Sequence, residues 1–150
     1  MIHDLVLVAV AYLLGSIPFG VVVARAQGGV DLRRVGSGNI GATNVLRAVG
    51  NGAAAVTLLA DIGKGALSVA LGRWLGVAAP VLATIALAAV GGHLFPVFAR
   101  FRGGKGVATT LGVVLVAAGV VVAIGIFTGG GPILPHIVGP IVLAGSGTVL

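Results

Sequence analysis

Cysteine is missing from this sequence altogether, acidic residues number only 3, and aromatic residues make up 5%. Without cysteine there is no disulfide framework, no thiol nucleophile and no cysteine-ligated zinc. Charge of either sign is scarce, at 8% of residues. A water-soluble domain needs far more polar surface than that. The few charges lean one way, with a net charge of +6 and a pI of about 11.6. A basic balance often signals nucleic acid. Here the basic residues are too few, and the aromatics too sparse to stack bases, so no nucleic-acid partner is expected. Two readings of the charge survive. One is orientation in a membrane by the positive-inside rule, and the other is a site for small anions.

What the chain has in abundance is apolar sequence and glycine. It is 58% apolar, its mean hydropathy is +1.21, and it holds 27 glycines and 6 prolines. No strict three-residue repeat marks it as collagen, and it is too hydrophobic to be disordered. A lipid bilayer removes the need for a polar exterior, and glycine is common where membrane helices approach closely. The expected fold is all-α, a polytopic bundle of transmembrane helices, and the expected partner is the bilayer. The chain reads as a single integral membrane domain, 1–150.

Four apolar runs are long enough to span, at about 5–24, 53–71, 77–99 and 107–127. The stretch 133–150 is a candidate fifth span, but it contains Pro135, His136 and Pro140. Met1 to Asp4 carry no Lys or Arg, so the first run lacks the positive start of a signal peptide. Loop one, after the first run, holds Arg25, Arg33, Arg34 and Arg47. Loop two holds Arg73, and loop three holds Arg100, Arg102 and Lys105. Alternate loops share a side, so loops one and three are expected in the cytoplasm and Met1 outside.

Loop one contains Gly36-Ser37-Gly38-Asn39-Ile40-Gly41-Ala42-Thr43-Asn44. Its glycines fit the dinucleotide pattern G-x-G-x-x-G, but a membrane span follows where a βαβ unit is required. The physics of the stretch still points to an anion. Glycines let backbone N–H groups converge, Ser, Thr and Asn add neutral donors, and Arg47 adds a planar charge. The alternative is a flexible solvated connector. Loop three contains Arg102-Gly103-Gly104-Lys105-Gly106-Val107. It is not a Walker A loop, because Gly106 stands where Ser or Thr would hold Mg²⁺. Three glycines around a lysine that opens a helix make a phosphate cradle. Alternatively, these cations simply mark the inner membrane face.

Other features are read between structural and catalytic roles: for Asp61 and Lys64 a structural ion pair stands beside a catalytic role, and for His93 the structural role is preferred. Asp61 and Lys64 lie three residues apart in the second run. Each costs about 2.5–3.5 kcal/mol at mid-bilayer, so they are expected to pair or to face a polar interior. Gly15-Ser16-Ile17-Pro18-Phe19-Gly20 is expected to kink the first span. His93 is expected to hydrogen-bond within the bundle.

Taken in order, five stretches resemble the bacterial acyl-phosphate:glycerol-3-phosphate acyltransferase family. They are Gly15–Gly20, Gly36–Arg47, Asp61 with Lys64-Gly65, Gly92-His93-Leu94-Phe95-Pro96-Val97-Phe98, and Gly103-Gly104-Lys105-Gly106-Val107-Ala108-Thr109. The resemblance implies a bacterial inner-membrane enzyme. It implies transfer of a fatty acyl group from acyl phosphate to the 1-hydroxyl of glycerol 3-phosphate, giving lysophosphatidate for phospholipid synthesis. Neither a cofactor nor a metal is implied. The family's first cytosolic motif places its essential serine and arginine on Ser37 and Arg47, with Asn39 and Asn44 at polar positions. Its second motif, a phosphate loop, falls on Gly103, Gly104, Lys105 and Gly106. The expected catalytic residues are thus Ser37, Arg47 and Asn39, and the expected phosphate-binding residues are Gly103, Gly104, Lys105, Gly106 and Asn44.

The resemblance fades after Gly112. The family's third motif, built on His-Arg-x-Asn, is not matched by Leu134-Pro135-His136-Ile137. The chain is therefore expected to be a C-terminally truncated or divergent member. Two functions remain in view: the acyl transfer itself, or a catalytically silent membrane protein that retains the phosphate-binding loops.

Overall fold

Pro18 has no backbone N–H, so an α-helix cannot run through it unbroken. Helix α1 (Ile2–Gly15) accordingly stops before it, and α2 (Phe19–Ala26) starts after it with Pro18 as N-cap. The expected kink of the first span is thus a full break at Ser16-Ile17-Pro18. The computed structural model describes residues 1–127. Its remaining helices are α3 (Ala42–Ala48), α4 (Asn51–Trp74), α5 (Ala79–Leu94) and α6 (Val107–Phe127). Short 3-10 turns lie at Leu32–Arg34 and Val97–Ala99. The chain divides into two compact units, Met1–Leu115 and Val116–Leu150. In the second unit the described structure is the continuation of α6. The candidate span 133–150, with Pro135, His136 and Pro140, lies outside the described residues.

Among the described residues three segments are long and apolar enough to cross a membrane: Ile2–Ala26, Asn51–Trp74 and Ala79–Ala99. Helix α6 is apolar through Val107–Gly119. The chain is a multi-pass membrane protein. Large apolar side chains such as Leu59, Leu87 and Val114 are exposed on the helices, which in lipid carries no penalty. The third of these segments is interrupted near its end. Regular helix stops at Leu94, and Pro96 starts a 3-10 turn.

Small residues set the helix contacts. A side chain on Gly15 would overlap the Ala89 carbonyl of α5, and one on Gly92 would overlap the Tyr12 carbonyl of α1. Close backbone approach of this kind is how membrane helices gain dispersion energy without a hydrophobic drive. Tyr12 Oη then donates to the Phe95 carbonyl at 2.7 Å. Gly65 meets the Thr109 backbone, and Gly112 meets the Ile62 carbonyl, so α4 and the start of α6 touch in the same manner.

Loop one is folded, not a solvated connector. Leu32 and Val45 are buried with Val23, Ala24 and Ala53 in one apolar cluster. Asp31 caps the 3-10 turn by accepting from the Arg33 N–H at 3.1 Å. Arg47 of loop one sits in α3. Gly50, with φ of 123°, separates that short helix from α4.

Candidate functional site

The site is built on a turn in loop one. Gly36 and Gly38 take positive φ, 59° and 69°, which glycine adopts without steric cost. The Gly38 N–H closes the turn on the Val35 carbonyl at 3.1 Å. Asn44, buried at the start of α3, reaches back into the turn. Its Oδ1 accepts from the Ser37 N–H at 3.0 Å. Its Nδ2 donates to the carbonyls of Leu32, Val35 and Asn39 at 3.0, 3.0 and 2.9 Å. Asn39 Oδ1 accepts from the Gly41 N–H at 2.9 Å. The glycine-rich stretch is therefore fixed from inside by one amide, with Ser37 exposed on its outer side.

Loop three joins it through Arg33. The guanidinium Nη2 donates to the Ala99 carbonyl at 2.8 Å and to the Arg102 carbonyl at 3.2 Å. The two basic loops thus lie at one end of the helices, as the alternation of charge requires. Within loop three the glycines divide. Gly103 packs on the His93 and Leu94 carbonyls, Gly104 packs on the His93 ring, and the Gly104 N–H donates to the His93 carbonyl at 3.1 Å. Gly106 has φ of 77° and precedes α6, whose Thr110 N–H bonds the Gly106 carbonyl at 2.8 Å.

Between the loops lies a cleft of about 340 Å³. Small-molecule sites commonly measure about 300–1,000 Å³. Ser37, Asn39, Asn44 and Arg47 line it from loop one, and Lys105 and Gly106 from loop three. Val107 and Ala108 bring the first turn of α6, with its unpaired N–H groups, to the same wall. Leu58 and Leu111 make an apolar side, and Asp61 and His93 also line the cleft. Gly103 and Gly104 are not among the lining residues; they seat the loop on α5.

Asp61 and His93 are nearly fully buried. Lys64 Nζ lies 2.8 Å from Asp61 Oδ1 and also donates to the Ile17 carbonyl at 2.8 Å. That carbonyl belongs to the break before Pro18, so the span interruption supplies Lys64 with an acceptor. The Phe19 ring lies 5.6 Å from the ammonium, a cation–π distance. His93 Nδ1 faces Asp61 Oδ1 at 3.6 Å, an electrostatic contact beyond hydrogen-bond length.

Sequence reasoning left a structural or a catalytic role open for Asp61, gave His93 a structural one, and named neither among the site residues. Nothing local placed His93 there; Asp61 shares a helix face of α4 with Leu58, at i and i+3. Thr43, Leu58 and Leu111 were likewise not singled out.

The sequence and the fold have known counterparts. A family model described as glycerol-3-phosphate acyltransferase matches residues 5–136. The chain belongs to that family. A glycerol-3-phosphate acyltransferase of Rubrobacter xylanophilus is 56% identical over 109 residues, covering 73% of this chain and 54% of that one. One from Novosphingobium aromaticivorans is 60% identical over 117 residues, covering 78% and 58%. The chain spans about half the length of the curated relatives it matches. Among solved structures, the fold is similar to the crystal structure of PlsY, an integral membrane glycerol 3-phosphate acyltransferase, in its glycerol 3-phosphate form. The TM-score is 0.74 at 47% identity, covering 83% of this chain and 62% of that one. The lysophosphatidic acid form of PlsY matches at a TM-score of 0.72 and 44% identity.

Proposed function

We propose that this chain carries out acyl transfer from a fatty acyl phosphate to the 1-hydroxyl of glycerol 3-phosphate. The observation that carries the reading is the convergence of Arg47 and Lys105, from two separate loops, on one cleft with Ser37. Both substrates bear phosphate, and two cations with the first turn of α6 suit such groups. The apolar side formed by Leu58 and Leu111 suits the acyl chain, which can stay among helices and lipid while the phosphates meet the loops.

In this reading Ser37, Arg47 and Asn39 face the reacting groups, and Lys105 and Gly106 face phosphate. Gly103 and Gly104 contribute by letting loop three lie flat on α5. Asn44 acts on phosphate indirectly, by holding the loop that presents Ser37. The glycerol oxygen bonds to the acyl carbon, the bond from that carbon to the phosphate oxygen breaks, and the hydroxyl proton leaves with inorganic phosphate. Acyl phosphate already has a good leaving group, so no covalent intermediate on the protein is required. Orientation of the two substrates, which can supply on the order of 7–11 kcal/mol, and charge neutralisation carry the rate. The positive charge of loops one and three supports a cleft on the cytoplasmic side of a bacterial inner membrane.

The test is purified chain in lipid nanodiscs, given acyl phosphate and glycerol 3-phosphate. Formation of lysophosphatidate that is lost in Ser37→Ala and Arg47→Ala supports the proposal. Binding of glycerol 3-phosphate without turnover would replace it with the catalytically silent reading.

A further inference from the structure

Beneath loop three lies a line of polar groups to which the proposed chemistry assigns no task. Lys64 pairs with Asp61 at 2.8 Å, and Asp61 faces His93 Nδ1 at 3.6 Å. The other edge of the same ring lies against Gly104, where an added methyl group would overlap Nε2. The Gly104 N–H also bonds the His93 carbonyl at 3.1 Å. The next residue is Lys105, exposed in the cleft.

We propose that His93, held between Asp61 and Gly104, is a positioning residue that backs loop three and so sets where Lys105 meets phosphate. The inference rests on the functional reading above. Three observations carry it. His93 is buried at 4% exposure, yet its Nδ1 makes no hydrogen bond, so ring burial gains nothing from a conventional polar partner. A buried polar atom left in that state has a cost that packing alone does not explain. Gly104 has no side chain, and that is what lets the backbone rest on the ring edge. The whole stack is anchored, because Lys64 ties Asp61 to the Ile17 carbonyl at the break between α1 and α2. A lysine on a loop has many rotamers, and a fixed platform below it reduces the entropy lost on gripping phosphate.

A positioning role makes His93 and Lys105 energetically coupled, whereas a merely structural His93 would act independently of Lys105. The experiment is calorimetric titration of glycerol 3-phosphate into the whole chain in nanodiscs. The variants are His93→Ala, His93→Gln, Gly104→Ala, Lys105→Ala and the double variants with Lys105→Ala, each checked by thermal melting. Loss of about ten-fold in affinity is expected for His93→Ala. His93→Gln, whose amide reaches the Nε2 position, is expected to recover most of it. Adding His93→Ala or Gly104→Ala to Lys105→Ala is expected to cost almost nothing more. If His93→Ala does not fold, the Gly104→Ala and Lys105→Ala cycle decides alone. Additive losses, or a His93→Gln variant no better than His93→Ala, would overturn the proposal. Wild-type chain that binds no glycerol 3-phosphate would instead remove the functional reading, and this inference with it.

Discussion

Arg33 in loop one donates to the carbonyl of Ala99 in loop three at 2.8 Å. The accepting segment is unusual, because Arg100 and Phe101 both have positive φ, 55° and 59°. Non-glycine residues in that region cost on the order of 1–3 kcal/mol each and persist only when their surroundings hold them there. Arg33 supplies part of that hold by bonding the carbonyls on either side, those of Ala99 and Arg102.

Removing this bridge should loosen both loops together. A hydrogen bond to a charged group contributes about 1.5–3 kcal/mol, and partial exposure reduces it. Arg33→Ala is expected to destabilise the fold by about 1–2 kcal/mol and to weaken glycerol 3-phosphate binding several-fold. Arg33→Lys keeps the charge but loses the fork that reaches two carbonyls, so it should recover only part of either effect. Thermal unfolding and titration measure both, and an unchanged melt with unchanged binding would show that the loops hold their positions without Arg33.

The two cations of the cleft should matter where other cations do not. Arg47→Ala or Lys105→Ala is expected to weaken glycerol 3-phosphate binding by about ten-fold or more, because each removes a charged partner of phosphate. Arg73, near the opposite end of α4 from the loops, should be nearly silent on substitution to Ala. Equal small effects from all three would mean that the charges act only as a diffuse field.

The parts of this fold that were readable in the sequence depend on local physics. A proline in a helix interior kinks or breaks it, as Pro18 does between α1 and α2, and apolar runs between basic loops mark spans. Loop one was readable in chemistry but not in shape, because α3 is held by Leu32 and Val45 packing on α2 and α4 and by the bonds of Asn44 to the loop. The convergence of Arg47 with Lys105 also needed the third dimension, since nothing local to either residue reveals the other. Gly103 and Gly104 illustrate the same limit. A glycine that lets a backbone approach phosphate and one that lets it approach His93 look identical in sequence.

Cysteine labelling can test orientation cleanly, since the chain has no native cysteine. Ser37→Cys and Arg102→Cys place thiols on the two basic loops, and Ala78→Cys places one between α4 and α5. In intact cells an impermeant thiol reagent should modify only the cysteine at position 78. Labelling at 37 or 102 before the membrane is opened would reverse the proposed topology.

The buried Asp61–Lys64 pair makes a sharper energetic prediction. Both side chains are 3% exposed, so removing one partner leaves the other with little water. Breaking such a pair costs about 3–5 kcal/mol, largely from the uncompensated charge. Lys64→Met should therefore lower stability by that amount, and it also strips the Ile17 carbonyl of a donor. Adding Asp61→Asn removes the orphaned charge and should return a good part of the loss. Unfolding of the single and double variants in mixed micelles, followed by the fluorescence of Trp74, measures both steps. If Lys64→Met alone were as stable as wild type, the carboxylate would have to draw water from the cleft it lines. Asp61 would then owe its place to water in the cleft and not to its pairing with Lys64.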